Sequence, residues 1–442
     1  MLRKERRGES MLTIEEVIER IATHRDYTFR ENIGIFLVGG AVRDQLMGKE
    51  EKDRDYCITG LTETEFEELF PEAELVGDSF PVYLMHIEGE DKKGTEFALA
   101  RKEKKVGKGH KGFEAITNRD ITIEEDLFRR DLTINSMAID LETDELIDPY
   151  GGKEDVRKEL IRATSDAFKE DPLRVYRAAR FAARYGFTID DKTKQLMFDL
   201  KDELGTVSGE RITLELSKVL TEDKPSIFFE VLDEIGVIIP VHHVEGEEIE
   251  GHLKEFLELK ELDPRKFKAL LTMLDNQSSA KEIERFAILF HYFSADQIDN
   301  IAKKLNMPRE YGLLAKFLNE HFAKIGGLNR LPDDEIVKII SELMKNPLTK
   351  QAENTGKKDT LAWFTDGVKT LNHAKGIDVK TIAAANKLKM LASEIKQVTI
   401  TKEEVQALGL EGPQIGKYLN QKRVKKYREL TKEKRKENDL QR

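Results

Sequence analysis

Two aspartates one residue apart, Asp53 and Asp55 in the run Asp53-Arg54-Asp55-Tyr56-Cys57-Ile58, are the side chains of this sequence best suited to metal chemistry. In a strand, a side-chain period of two turns both carboxylates to the same face. Two anions held side by side repel each other unless a cation sits between them. Divalent ions of the Mg²⁺ type, held by carboxylates together with substrate phosphate oxygens, supply that cation. Two such ions can activate an attacking hydroxyl and stabilise a leaving pyrophosphate. The competing reading is an exposed polar strand edge in which Arg54 neutralises its neighbours. Upstream, Leu37-Val38-Gly39-Gly40-Ala41-Val42-Arg43-Asp44 reads as a strand, two glycines and a helix that carries an arginine. Gly39 and Gly40 let backbone N–H groups approach an anion, and Arg43 can add a bidentate phosphate contact. A plain tight turn accounts for the same residues, and the Gly-x-Gly-x-x-Gly fingerprint is absent. An acid pair that follows such a turn by thirteen residues favours reading the two together as a nucleotide site.

A second group of candidates is cationic. In Glu170-Asp171-Pro172-Leu173-Arg174-Val175-Tyr176-Arg177-Ala178-Ala179-Arg180-Phe181-Ala182, a helix from Pro172 places Arg174, Arg177 and Arg180 three apart on one face. Val175, Ala178, Phe181 and Ala182 supply an apolar side for packing, so the arginine face is expected to be presented. The tail from 413 carries Lys417, Lys422, Arg423, Lys425, Lys426, Arg428, Lys432, Lys434, Arg435, Lys436 and Arg442 against four acidic residues. It is a local cationic patch suited to phosphates, in a chain whose net charge is −11. A solvated chain end is the alternative.

The elements that position these residues change character along the 442 residues, a length that implies several domains. Residues 13–28 read as a helix, with Thr13 and Glu16 in a capping-box pattern and Ile14, Val17, Ile18 and Ile21 at helical spacing. From 34 to about 150, short β-rich runs (Ile35–Val38, Tyr56–Ile58, Pro81–Ile87, Thr95–Ala100) alternate with helical segments. Beyond 150 the periods are helical and hardly any alternating strand pattern is found. The expected fold class is α+β, a mixed sheet with helices followed by all-α domains. No apolar run is long enough to span a bilayer, and the opening MLRKERRGES lacks the apolar stretch of a secretory signal, so the cytoplasm is the expected location. The single Cys57 excludes an internal disulfide and a multi-cysteine zinc site.

The order strand, Gly-Gly, helix, Asp-x-Asp is similar to the polymerase-β-type nucleotidyltransferase head. Glu125-Asp126-Leu127-Phe128-Arg129-Arg130-Asp131-Leu132-Thr133-Ile134-Asn135-Ser136-Met137-Ala138 resembles the motif shared by class II CCA-adding enzymes and bacterial poly(A) polymerases. There Arg130 is placed to meet a triphosphate, and Asp131 and Asn135, one helical turn apart, to orient it or hold the sugar. Asp148-Pro149-Tyr150-Gly151-Gly152 resembles the family's hinge between head and neck, and Ser208-Gly209-Glu210-Arg211-Ile212-Thr213-Leu214-Glu215-Leu216 its bracing neck helix. These five ordered motifs cover roughly 34–235.

The resemblance implies an activity that adds C, C and A to the 3′ end of tRNA lacking or incomplete in CCA, from CTP and ATP, with Mg²⁺ at Asp53 and Asp55. It implies nucleotide contacts from Gly39, Gly40, Arg43, Arg130, Asp131, Asn135, Asp171, Arg174, Arg177 and Arg180, with Asp171 and Arg174 reading the base edge. The cationic tail is expected to contact tRNA phosphates at Lys422, Arg423, Lys425, Lys426 and Arg428, and no membrane partner is expected. The implied parts are an N-terminal helical extension (1–33), the head (34–150), a helical neck (151–235), a helical body (236–345) and a helical tail (346–442). The segment 102–118, with Gly107, Gly109 and Gly112 among lysines, corresponds to a loop that switches the family's site from C to A. Poly(A) addition, CC-only or A-only addition, and a noncatalytic tRNA-binding protein are the alternatives. Val76-Gly77-Asp78-Ser79-Phe80-Pro81-Val82 is similar to the CCA-adding subgroup. That subgroup often appends a His-Asp phosphohydrolase, but in Phe286-Ala287-Ile288-Leu289-Phe290-His291-Tyr292-Phe293 a tyrosine stands where the aspartate would be, and no hydrolase activity is expected.

Overall fold

The computed structural model describes residues 11–50, 53–77, 82–90, 94–105, 113–239, 241–244, 246–276, 282–345, 362–375 and 379–440. The chain forms two compact units, one of residues 1–207 with 230–250 and one of 208–229 with 251–442.

The first unit opens with α1 (Ile14–Thr28), capped by reciprocal bonds between Thr13 and Glu16. Then follow β1 (Gly34–Val38), α2 (Gly40–Leu46), β2 (Asp55–Thr59), α3 (Glu63–Leu69), β3 (Glu74–Val76), β4 (Val82–Met85), β5 (Thr95–Leu99), β6 (Arg101–Lys105), β7 (Phe113–Thr117), α4 (Ile123–Phe128), β8 (Ala138–Asp140) and β9 (Leu146–Ile147). Seven strands make one mixed sheet in the order β3-β4-β5-β2-β1-β8-β9, in which β2 and β5 run parallel. The β-rich runs read in the sequence are strands, and in β1 and β2 both faces are buried. Ile35, Leu37, Tyr56, Ile58, Phe97 and Leu99 point into one core with Phe66, Phe70 and Met137. Val17 and Ile21 of α1 are fully buried in the same core, so this helix is part of the head's packing and not an appendage. β6 and β7 pair as a hairpin; residues 106–112, most of the expected switching loop, lie outside the described residues, as do 78–81.

The unit continues through α5 (Gly152–Arg157), β10 (Leu160–Ile161), α6 (Leu173–Tyr185), β11 (Thr188–Ile189) and α7 (Asp191–Asp199). A hairpin of β12 (Val241–Val244) and β13 (Glu247–Glu250) lies where helix was expected. The run Val-His-His-Val followed by Glu-Glu-Ile-Glu has no apolar alternation to announce it.

The second unit is helical: α8 (Gly209–Leu220), then, past α9 (Ser226–Glu234) at the unit boundary, α10 (Lys254–Leu262), α11 (Pro264–Asp275), α12 (Glu282–Leu289), α13 (Ala295–Lys304), α14 (Arg309–Gly326), α15 (Asp333–Lys345), α16 (Ala362–Ala374), α17 (Val379–Ile395), α18 (Lys402–Ala407) and α19 (Pro413–Leu440). Phe286 of α12 and Phe290, just beyond it, are fully buried, and α12 packs on α14 and α16. α19 packs on α15 and α17, with Tyr427 5% exposed, so the basic tail is a docked helix. Among the described residues no helix is long and apolar enough to cross a membrane.

Candidate active site

Asp55 is the first residue of β2, and Asp53 stands two residues earlier, ahead of the strand. The expectation that one strand carries both is corrected to that extent. Arg54 Nη1 lies 3.7 Å from Glu90 Oε1, which also accepts from Tyr56 Oη at 2.6 Å. Asp55 is opposite Val38 on one side and Glu96 of β5 on the other, which brings a third carboxylate to the same edge. Asp55 keeps contact with solvent, yet the protein packed around its carboxyl, then Glu96 and Asp53, outweigh Arg130 and push it up to about 6. A cluster whose members cannot all ionise cheaply is the electrostatic counterpart of a bound cation. Its all-oxygen donor set fits a hard divalent ion, for which Asp53 and Asp55 would be the holders and Glu96 a neighbour.

The turn beside the pair requires glycine. Gly39 has φ 70° and ψ −123°, and a Cβ there would meet Arg130 Nη1 at 3.0 Å. Arg130 thus covers the turn. Asp126, which the sequence reading passed over, holds it there. Its carboxylate is 1% exposed, accepts from Arg130 Nη2 at 3.1 Å, from Arg129 Nη2 at 2.7 Å and from the Arg101 backbone N–H at 3.3 Å. Burial alone would raise its pKa, but Arg129 and Arg130 prevail and hold it at about 2.

Other expected nucleotide ligands are committed to one another. Arg43 is 4% exposed, donates from Nε to Asp44 Oδ1 at 2.9 Å and from Nη1 to Asn135 Oδ1, and lies 5.3 and 5.1 Å from the ring centroids of Phe181 and Tyr185. Asn135 Nδ2 donates to Asp131 Oδ1 at 3.1 Å, and Asp131 Oδ2 accepts from Arg177 Nε at 2.7 Å. Burial opposes the Asp131 charge, but Arg177 and Asn135 lead the groups that hold this carboxyl at about 2. The chain Asp44-Arg43-Asn135-Asp131-Arg177 therefore ties the glycine turn to α6. In this arrangement Arg43, Asp131 and Asn135 are bonded to one another and brace the site. The turn that carries Asn135 is a short 3₁₀ helix, Thr133–Asn135, and not an α-helix.

The arginine stripe of α6 is also corrected. Arg174 is 8% exposed and Arg180 4%, whereas the Arg177 side chain keeps 31% of its surface. Arg174 donates from Nη1 to the Ala167 carbonyl and from Nη2 to the Arg129 carbonyl, each at 2.7 Å. Ala167 and Arg129 line a cavity of about 450 Å³ with Lys102, Phe128, Tyr150 and Glu170. Arg174 thus sits behind the wall of that cavity. Asp171 accepts from the Leu173 N–H at 3.1 Å as α6 begins.

In the second unit, three of the five expected tRNA contacts have partners within the fold. Lys422 Nζ bonds Glu404 at 2.8 Å, Arg428 Nε bonds Asp333 at 2.7 Å, and Arg423 Nη1 reaches Ser341 at 3.3 Å. Lys425 is exposed and Lys426 half-buried. Docking of α19 is the reason, since a packed helix must turn part of its basic surface towards its neighbours. His291 is packed between Tyr292 and Phe322, with Lys375 Nζ 2.9 Å from Nε2, and burial followed by Lys375 lowers it to about 4.

Residues 35–162 match the Poly A polymerase head domain, and 186–243 the probable RNA and SrmB-binding site of polymerase A. The chain is 47% identical over 209 residues to the Multifunctional CCA protein of Pseudoalteromonas atlantica, a match spanning 46% of this chain and about half (50%) of that protein's length. It is 33% identical over 428 residues to the Multifunctional CCA protein of Aliivibrio salmonicida, covering 88% of this chain and 97% of that one. Among solved structures, the Bacillus stearothermophilus CCA-adding enzyme in complex with CTP superposes with TM-score 0.63 at 21% identity, over 97% of this chain and 99% of that one. The Thermotoga maritima CCA-adding enzyme solved with tRNA gives 0.53 at 22% identity, over 94% and 91%.

Proposed function

Because the chain belongs to the family of CCA-adding tRNA nucleotidyltransferases, we propose that it adds C, C and A to the 3′ end of tRNA that lacks them, using CTP and ATP and releasing pyrophosphate. The observation that carries this reading is the acid edge of Asp53, Asp55 and Glu96 lying beside a glycine turn covered by Arg130. Mg²⁺ held by Asp53 and Asp55 would activate the tRNA 3′ hydroxyl and stabilise the departing pyrophosphate. Arg130, fixed by Asp126, binds the triphosphate. The polar chain from Asp44 to Arg177 holds α6 in register with the turn, so that base and phosphates are bound by parts of one braced assembly. The division into head, neck, body and tail, the assignment of 102–118 to the switch from C to A, and a cytoplasmic location belong to the same proposal.

Sequencing of the 3′ products made from a tRNA transcript lacking CCA tests it. CTP alone should give CC, ATP alone no extension of that transcript, and both together CCA. A poly(A) tract with ATP, or a single class of addition, would overturn the reading.

Base choice supplies a further expectation. Arg174 anchors the carbonyls of Ala167 and Arg129 behind the cavity wall. In Arg174→Ala the buried Ala167 carbonyl loses its partner, at a cost of about 1–3 kcal/mol, the half-buried Arg129 carbonyl loses the same partner, and the wall loosens. Misincorporation by that variant, read with single nucleotides at each position, should rise by about tenfold or more, the factor that 1.4 kcal/mol represents. Unchanged selectivity in a folded variant would exclude Arg174 from base choice.

For tRNA grip, the residues to test are those that α19 leaves exposed. Lys425→Glu with Lys432→Glu should weaken tRNA binding and flatten its dependence on log salt by about one unit for each phosphate no longer neutralised. An unchanged slope would mean that this face does not touch RNA.

A further inference from the structure

Away from the nucleotide site, the described residues bring together one further set of metal-ligating side chains. His321 of α14 is 2% exposed, and its Nε2 faces Glu342 Oε2 of α15 at 3.1 Å and Glu320 Oε2 of its own helix at 3.8 Å. All three ligand atoms lie within 4.8 Å of one another. The Phe317 ring, one turn earlier, packs at 4.5 Å between centroids and fixes the imidazole plane. The Glu320 and Glu342 side chains keep 65% and 37% of their surface, so the open side of the group faces water.

The ring cannot satisfy both carboxylates by itself. A neutral imidazole offers at most one N–H at Nε2, and Nδ1 is buried with no hydrogen-bond partner among the described residues. Lys338 lies 3.9 Å from Glu342 Oε1, the oxygen turned away from the histidine, and Lys324 pairs with Glu335 at 3.4 Å. Two carboxylate oxygens thus converge on one ring nitrogen, with water on the open side.

We propose that Glu320, His321 and Glu342 bind a divalent transition ion of the Zn²⁺ class, through Nε2 and one oxygen of each carboxylate, with water completing the coordination. The donor chemistry separates this group from the acid edge of the head. Imidazole with carboxylate suits zinc and its neighbours, whereas an all-oxygen set suits magnesium. Bonds of about 2.0–2.2 Å in a tetrahedral site place ligand atoms roughly 3.3–3.5 Å apart. The observed 3.1 and 3.8 Å from Nε2 bracket that separation, and with all three ligand atoms within 4.8 Å of one another, rotation of the two glutamate side chains would close the site. The ion would join α14 to α15 and stabilise the second unit by mass action.

The test uses the full-length chain with Asp53→Ala and Asp55→Ala, which removes binding at the acid pair, and Zn²⁺ as the probe. Equilibrium dialysis with metal analysis should find one tight Zn²⁺ per chain, and Zn²⁺ should raise the melting temperature. In that background His321→Gln and Glu342→Gln should each weaken binding by on the order of 100-fold, the upper range of losses seen even for groups that only support a ligand. Glu320→Gln, at an exposed side chain, should weaken it by about tenfold. If His321→Gln fails to fold, the two glutamate variants decide the matter. Absence of bound Zn²⁺ in the parent, or Zn²⁺ affinity that the glutamate variants leave unchanged, would overturn the proposal.

Discussion

Asp53→Ala and Asp55→Ala should each reduce nucleotide incorporation by at least about 10⁴-fold, equivalent to roughly 5–6 kcal/mol of transition-state stabilisation, while leaving a folded protein. On the proposed mechanism, either change removes an oxygen donor for the cations on which both hydroxyl activation and pyrophosphate stabilisation would depend. Fold and activity should separate because Asp55 costs the metal-free protein stability. Its folded pKa, about 6, lies above that of an ordinary aspartate. A group raised in this way contributes stability below its unfolded pKa of about 4, and that contribution is lost as pH climbs through about 6. At pH 7–8 without metal, the ionised carboxylate is therefore a burden, and Asp55→Ala should melt no lower than the parent. Single-turnover incorporation at saturating Mg²⁺, paired with melting curves in chelator, checks both halves. Appreciable incorporation by either folded variant would remove the acid pair from the mechanism.

Asp126→Ala should have the opposite profile, with stability and activity falling together. The carboxylate is buried among Arg129, Arg130 and the Arg101 N–H, and removal of one partner from a buried charge network costs about 3–5 kcal/mol. Its pKa of about 2 lies below the ordinary value. The sign is then that of a depressed acid: its stabilisation is complete above about pH 4 and is lost as pH falls through about 2. Denaturant titrations from pH 7 down to pH 2.5 should show the parent losing part of its advantage over Asp126→Ala at the acid end. At neutral pH the variant should also show a raised KM for both nucleotides, because Arg130 loses the anchor that holds it over Gly39. Parental stability in Asp126→Ala would show that the two arginines find other partners.

Much of this architecture was legible in local pattern, because local pattern reports backbone geometry. Thr13 and Glu16 announced α1 through a capping box that the structure contains, and Gly186 at φ 70° ends α6 where the helical period stops. The β-rich runs Ile35–Val38 and Tyr56–Ile58 marked strands, which are buried on both faces. The order of glycine turn, acid pair and arginine-rich motifs was enough to identify a nucleotidyltransferase head. Residue order alone thus specified which side-chain types stand on which faces of which elements.

What those faces meet was settled by packing. Glu96 sits in an ordinary alternating strand, and nothing near it in sequence says that β5 runs parallel beside β2 and sets it opposite Asp55. The spacing of Arg174, Arg177 and Arg180 put three guanidinium groups on one side of α6, but the carbonyls of Ala167 and Arg129 and the carboxylate of Asp131 decided that this side is covered. The basic tail likewise became a docked helix because α15 and α17 offered it an apolar seat and carboxylates such as Asp333. The physical reason is the same in each case. Helical and strand periods are set by the torsions of adjacent residues, whereas the partner that neutralises or buries a side chain is brought in by strand register and helix packing, from 46 residues away for Arg177 and Asp131 and from 95 for Arg428 and Asp333.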